Sequence, residues 1–511
     1  MDILSNMGLG LKTALSYSNL FYCFIGVFLG TFVGVIPGIG SLAAISLLIP
    51  VTLYLDPTTA LIMLAGIWYG AGYGGRTASI LLNLPGTVAN AITCLDGYPM
   101  TRQGRGGIAL LMTTLASFCG ATFGMMLLML FAPVIAEYAL RFGSAEYFSL
   151  MVLGLVAAST IADGSALKGL SMVVLGIMFG TVGLDIYTGV PRFSFGILAL
   201  HDTLSLVVLA MGIFGVAEVI ASVRKITIGE IDRKNTKFSA MKPTRDDVRR
   251  SWMPMLRGSS IGAFFGTLPG TGPAIATFLS YAIEKRVSKE PQRFGNGAIE
   301  GVMAPESADN SAEMTAFVPT LSLGIPGSPT MALMLGVLMI HGIQPGPRLL
   351  GEQPSLFWGL IMSFWIGNVI LVILNAPMVG MWVRLLTVPY RYMYPAVLMF
   401  ICIGTYSTGH STFDVWLVVF FGFLGYAMRV FEWPAAPLLL GFVLGPLMEE
   451  HFRRATLLSY GDPMTFINRP ISASIVAFTI AILVWGVWAS HRERRKARRR
   501  QEQKDAVSHA N

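Results

Sequence analysis

Charge is scarce in this sequence: Asp, Glu, Lys and Arg make up 13% of its 511 residues, about half the share in a soluble domain. So few charges cannot build a water-exposed surface, and the hydrophobic residues, at 54%, are too many to hide in one core. A soluble enzyme is excluded. Cysteine is scarcer still. Cys23, Cys94, Cys119 and Cys402 are scattered through apolar blocks without a CxxC or a Cys/His cluster. That excludes a disulfide framework or a zinc site and leaves them as small core residues. The histidines are isolated and no HExxH occurs. His201-Asp202 reads as a structural interior contact rather than a proton relay. Without GxxxxGK[ST] the chain is not itself an ATP motor, and without a GxSxG elbow it shows no hydrolase signature. The opening MDILSNMGLGLK lacks a basic n-region and a cleavage site, so no removable signal peptide is expected.

What is present is a series of long apolar blocks, such as Gly107 to Ala132 and Gly196 to Val223. Each is long enough to cross a hydrocarbon core of roughly 30 Å, which takes about 20 helical residues. The net charge of +8 is local, concentrated in the tail Arg492 to Lys504 and the loop Arg224 to Arg257. Both read as cytoplasmic topology signals rather than nucleic-acid contacts.

An internal repeat organises the chain. Residues 30–40 read GTFVGVIPGIG and 262–272 read GAFFGTLPGTG, matching at an offset of 232 residues, as from Gly30 to Gly262. NLPGT at 83–87 is answered by GIPGS at 324–328. The expected division is a first transmembrane repeat over 1–222 and a basic cytoplasmic linker over 223–257. A second repeat follows over 258–450, then a loop and extra span over 451–490 and a basic cytoplasmic tail over 491–511. Lys and Arg orient the halves. The loop near Asp56 has no base, whereas Arg102 and Arg105 lie in the loop at 101–106. In the second half Lys285, Arg286, Lys289 and Arg293 crowd the earlier loop, and the later one has only Arg348. Equivalent loops then prefer opposite sides, as in an inverted-topology repeat. Arg453, Arg454 and Arg469 disagree, falling in a loop this topology places outside.

The expected fold is an all-α polytopic membrane protein of about eleven to twelve spans, with broken or re-entrant helices. Proline removes an amide donor, and glycine permits backbone that breaks a helix. At membrane depth such breaks are tolerated only inside protein or beside a wet cavity. Secondary transporters place half-helix ends there to meet anions and cations. The candidate substrate site therefore comprises Gly38, Gly40, Asn83, Pro85, Gly86, Thr87, Gly270, Thr271, Gly272, Pro326, Gly327 and Ser328. Gly38, Asn83, Gly270 and Asn310 are the candidate Na⁺ ligands. The alternative for any single Pro-Gly is a kink or a close helix contact.

Polar residues extend the site. Arg76, with Thr77 beside it, could form a fork with a substrate carboxylate or snorkel to the interface. Glu306, Asp309 and Glu313 share one helical face and could hold a coupling cation or relay protons, or simply form a solvated helix start after Pro305. Asn310 and Ser311 are the better candidates for neutral oxygen ligands, because they precede the second break as Arg76 and Thr77 precede the first. Asp96 reads as a turn cap.

At these residues the sequence resembles the large membrane subunit of the bacterial tripartite tricarboxylate transporters. The resemblance is carried by GTFVGVIPGIG (30–40), the stretch 73–104 around YGGRTASILLNLPGT, GTLPGTGPAIATFLSYAIEK (266–285) and the stretch 304–347 around APESADNSAE and GIPGSPT. It implies a secondary importer of citrate-like carboxylates in the bacterial inner membrane, driven by a cation gradient, usually Na⁺. It also implies a small membrane subunit and a periplasmic solute-binding protein as partners, and a scaffold suited to a homodimer. No further cofactor is expected. The family pattern suggests a small polar residue at position 76, where this chain has arginine. The rivals are a membrane-embedded enzyme using Glu306, Asp309 and Glu313 as acid-base groups, and a passive anion channel.

Overall fold

The computed structural model describes residues 3–36, 40–161, 166–185, 187–222, 241–268, 272–386 and 390–484. Helices dominate. The first are α1 (Ile3–Ala14), α2 (Tyr17–Val35), α3 (Gly40–Thr52), α4 (Pro57–Leu82), α5 (Cys94–Arg102), α6 (Gly106–Ala139), α7 (Ser144–Ile161) and α8 (Ala166–Gly180). After a two-residue hairpin, β1 (Gly183–Leu184) with β2 (Pro191–Arg192), come α9 (Leu206–Ala210), α10 (Ala217–Ser222) and α11 (Arg245–Gly266). Then follow α12 (Gly272–Val287), α13 (Glu300–Thr315), α14 (Phe317–Leu323), α15 (Pro329–Ile340), α16 (Leu349–Glu352) and α17 (Pro354–Asn375). The last are α18 (Val379–Leu385), α19 (Tyr390–Gly409), α20 (Thr412–Val430), α21 (Ala435–Leu458) and α22 (Thr465–Asn468). Among the described residues, α2, α6, α17 and α20 are each long and apolar enough to cross a membrane, and six shorter helices are apolar as well. The chain is a multi-pass membrane protein.

Two compact units form. One takes residues 1–141 and 204–427, the other 142–203 and the chain from 428 onward. In the second unit α8 and α21 approach closely, with Gly176 against the Leu438 carbonyl and Gly441 against that of Val173. The arginines at odds with the topology are neutralised in that unit. Arg453 pairs with Asp185 at 2.8 Å and Glu449 at 2.6 Å, Arg454 with Glu450 at 2.7 Å, and Arg469 with buried Glu146 at 2.6 Å.

The larger unit is built on two helix pairs. On α2, Gly26, Gly30 and Gly34 lie against the carbonyls of Met63, Ile67 and Ala71 of α4. On α11, Gly258, Gly262 and Gly266 lie against those of Ala304, Ala308 and Ala312 of α13. The glycines correspond at the offset of 232, and their partners at an offset of 241, as from Asn83 to Gly324. In lipid, apolar area gives helices no reason to associate, so close backbone approach through small residues takes its place. The sequence repeat thus reaches back to Gly26 and Gly258. Each half also packs on the central helix of the other: Gly120 and Gly124 of α6 meet α13, and Gly367 of α17 meets Tyr69 of α4.

Four sequence expectations need correction. Gly196 to Val223 is not one span, because left-handed Phe195 and Gly196 and a short 3-10 turn hold it as loop until Leu206. His201 and Asp202 belong to that loop, with Asp202 exposed, so they are no interior contact. Residues 245–257, assigned to the linker, are the opening turns of α11. Thr244 starts them with a capping box, its Oγ1 accepting from the Asp247 amide at 3.1 Å while Asp247 accepts from the Thr244 amide at 2.9 Å. Residues 223–240 and the tail from 485 lie outside the described residues. Cys402 is exposed rather than a core residue.

Candidate functional site

The helix breaks come first. α3 opens at Gly40 with φ +66°, and α12 opens at Gly272 with φ +63°. Only glycine adopts that backbone without cost. α4 closes on left-handed Asn83 (φ 58°), and α14 on left-handed Gly324 (φ 70°), its equivalent. Asn83 therefore has a structural task, since asparagine is the side chain that best tolerates a left-handed helix cap. Gly86 is wedged between the Gly34 carbonyl and Gly75, and Gly327 is placed likewise between the Gly266 carbonyl and Ala316. Ser328 caps α15, accepting from the Met331 amide at 3.3 Å. Pro326 is buried and Pro85 exposed. Thr87 donates to Asn90 Oδ1 at 2.7 Å. Gly38, Gly270 and Thr271, with Pro37 and Pro269, lie outside the described residues.

Beside the breaks lies a buried charged cluster, drawn from α4, the segment before α5, α6 and α13. Every residue of α13 is buried, so Glu306, Asp309 and Glu313 are not a solvated helix start. The packing of α4, α6, α11 and α12 around this helix overrides its polar sequence. Arg76 is 1% exposed and does not snorkel. Its Nη1 donates to the Thr113 carbonyl at 2.8 Å and to Ser117 Oγ, and its Nη2 to Thr114 Oγ1 at 3.1 Å. Nη1 also lies 3.9 Å from Glu306 Oε2, and the guanidinium stacks over the Tyr73 ring at 4.3 Å. Tyr73 donates to Asn368 of α17 at 2.8 Å.

Glu306 is well satisfied, taking hydrogen bonds from Thr93 at 2.6 Å and Ser117 at 3.4 Å. Asp309 takes one from Asn90 Nδ2 at 3.4 Å, and its Oδ1 has no partner. Asn310 donates to the Glu306 carbonyl at 3.0 Å and leaves its Oδ1 unpartnered, as is Glu313 Oε2. Two carboxyl groups, Glu306 and Asp309, thus act on one guanidinium, with Glu313 one turn beyond them and all of them buried. No three Asp, Glu, His or Cys side chains among the described residues are placed together as metal ligands.

Thr77 is buried on α4, next to Arg76 but without a role in these contacts. The expected parallel between Asn310-Ser311 and Arg76-Thr77 fails. At the offset of 241 the equivalents of Arg76 and Thr77 are Phe317 and Val318, so neither half repeats the charges of the other. The sequence reading missed Asn90, Thr93, Thr113, Thr114 and Ser117. A signal for the last three existed, as hydroxyls within one turn of each other in an otherwise apolar helix.

Asp96 has a separate task. Its Oδ1 accepts from the amides of Gly295, Gly297 and Ala298 at 2.9, 2.8 and 2.8 Å, and Oδ2 from the Tyr281 hydroxyl at 2.9 Å. It caps a turn, but of the loop leading into α13 rather than its own. In the same loop Glu290 takes hydrogen bonds from Arg250 and Arg293, which hold its carboxyl below the usual range. Asp96→Ala would leave four donors without an acceptor. Stability should fall by about 1–3 kcal/mol, the cost of buried unsatisfied groups, read as a lower Tm in detergent.

The sequence matches the tripartite tricarboxylate transporter TctA family over residues 20–440. The chain belongs to that family. It is 48% identical over 495 residues to a protein of Agrobacterium vitis described as "Uncharacterized 52.8 kDa protein in TAR-I ttuC' 3'region", covering 97% of this chain and 98% of that one. A second A. vitis protein, "Uncharacterized protein in TAR-II ttuC' 3'region", is 50% identical over 234 residues, covering 46% of this chain and 97% of its own length. Membership makes this chain the membrane subunit of a tripartite transporter, which implies partner subunits such as a small membrane subunit and a periplasmic binding protein.

Proposed function

We propose that this subunit imports tricarboxylates or related carboxylates across the bacterial inner membrane by cation symport with alternating access. A periplasmic binding protein delivers the solute, and the C-terminus is cytoplasmic. The observation that carries the reading is the matched pair of helix breaks, Gly40 with Gly272 and Asn83 with Gly324, flanking a buried charged cluster. A channel needs no such pairing, whereas two exchangeable arrangements of equivalent halves do. Inversion of the halves is supported by crosswise contacts. Gln103, in the later loop of the first half, donates to the Asn296 carbonyl, in the earlier loop of the second, at 2.9 Å. Thr58, at the earlier loop of the first half, packs on Gly359, just after the later loop of the second. Such contacts are what non-equivalent loops on a shared side would make.

The test is uptake of radiolabelled citrate and C4-dicarboxylates into proteoliposomes holding this chain with its two partner subunits. The expected result is accumulation above the external concentration under an inward Na⁺ or H⁺ gradient. Downhill flux without any gradient dependence would instead make the protein a channel, and chemical conversion of the label would make it an enzyme.

A further inference from the structure

We propose that Glu313 is the point at which a proton enters the transport cycle, so that the cation driving uptake is H⁺. The inference rests on the transporter reading above and names its coupling ion.

Position singles this residue out. Glu313 packs against Gly72 of α4, and Gly72 is its own equivalent at the offset of 241. A contact between equivalent positions lies where the two halves meet, and any motion of one half against the other shears it. A carboxylate there meets that motion differently in its two protonation states, because a charge must stay solvated or paired as its surroundings change.

Partners are missing. Glu313 is 4% exposed, and its Oε2 has no hydrogen-bond partner. The titratable groups that act on it are Tyr73 from α4 and Glu306 and Asp309 from its own helix. The stretches of α11, α12 and α14 packed against this end of α13 carry no titratable side chain. Among the described residues of the cluster the cation is Arg76, and it is committed to Glu306 and to the α6 oxygens. Among the described residues, the charged groups that act on Glu313 are the carboxyls of Asp309 and Glu306. A metal ion needs several converging oxygens, and among the described residues no three Asp, Glu, His or Cys side chains converge. A proton needs only one. It would bind Glu313 Oε2 from the periplasmic water, cross with the solute, and leave to the cytoplasmic water when the halves have exchanged positions.

The test uses the same three-component proteoliposomes with labelled citrate as probe. The wild type should accumulate citrate under an inward-acid pH gradient without Na⁺. Glu313→Gln should lose at least tenfold of that accumulation yet retain measurable exchange of internal for external citrate, since glutamine mimics the protonated acid. Glu313→Asp, which restores a titratable group, should recover part of the gradient-driven uptake. In purified protein the infrared carbonyl band of a protonated carboxyl should be present in the wild type and reduced in Glu313→Gln. Full pH-driven accumulation by Glu313→Gln would overturn the proposal. So would a wild type driven by a Na⁺ gradient at equal pH and not by a pH gradient. A wild type that never exchanges citrate would defeat the carboxylate reading instead, and a carbonyl band unchanged in Glu313→Gln would then overturn the proton site on its own.

Discussion

Arg76→Ala should abolish gradient-driven uptake and destabilise the folded protein by about 3–5 kcal/mol, the usual consequence of stripping a buried charge of its partner. The guanidinium sits over Tyr73, donates to three oxygens of α6 and faces Glu306 across 3.9 Å. Alanine would leave Glu306, Asp309 and Glu313 buried with no cation at all, and would strand the Thr113 carbonyl beside a cavity. Because the loss is mainly one of charge balance, Glu306→Gln in the same chain should restore part of the stability. Thermal unfolding in detergent of the two single variants and the double variant measures this as a coupling energy. If the double variant is no more stable than Arg76→Ala, the pair is not what holds this cluster together. Arg76→Lys should rescue only in part. One ammonium cannot reach Thr113, Thr114, Ser117 and Glu306 from a single planar fork.

The second large effect concerns the glycine contacts. Gly30→Leu and Gly262→Leu should each prevent accumulation of folded protein, and by similar amounts. A β-carbon at Gly30 would run into the Ile67 carbonyl, and one at Gly262 into that of Ala308. These are backbone atoms in the middle of a helix and cannot swing aside. Overpacking a core costs about 1–3 kcal/mol where side chains can adjust, and here the helices themselves must part. Gly8→Leu on α1 is the control, because nothing lies within 4 Å of a β-carbon there. Size-exclusion profiles of the solubilised variants read the outcome. A monodisperse Gly262→Leu with wild-type Tm would show that α11 and α13 do not depend on that contact.

The repeat was legible because it rests on residue types with no substitutes. A left-handed backbone selects glycine, and for that reason the motifs at 30–40 and 262–272 mark where α3 and α12 open. The same logic explains why asparagine stands at 83 where the other half has Gly324. The membrane character was legible because sparse charge is a property of the whole chain. The site was less so. Glu306, Asp309 and Glu313 form a polar helical face, and such a face ordinarily turns to water. Nothing local in PESADNSAE distinguishes a surface from a helix enclosed by four others. Arg76 carries the same ambiguity, since its side chain is long enough to snorkel or to turn inward.

By itself, then, the sequence determined that the chain lives in a membrane, that it is doubled, and where its helices break. These are one-residue or whole-chain properties, decided by backbone sterics and by the cost of charge in lipid. Only the tertiary structure decided that Arg76 meets Glu306, that Asp96 closes the loop ahead of α13, and that Glu313 lies against its own equivalent. Each of those depends on which helix faces which. In a bilayer that choice is made by close approach of small residues at Gly26, Gly30 and Gly34 and at Gly258, Gly262 and Gly266, and not by any pattern along one helix.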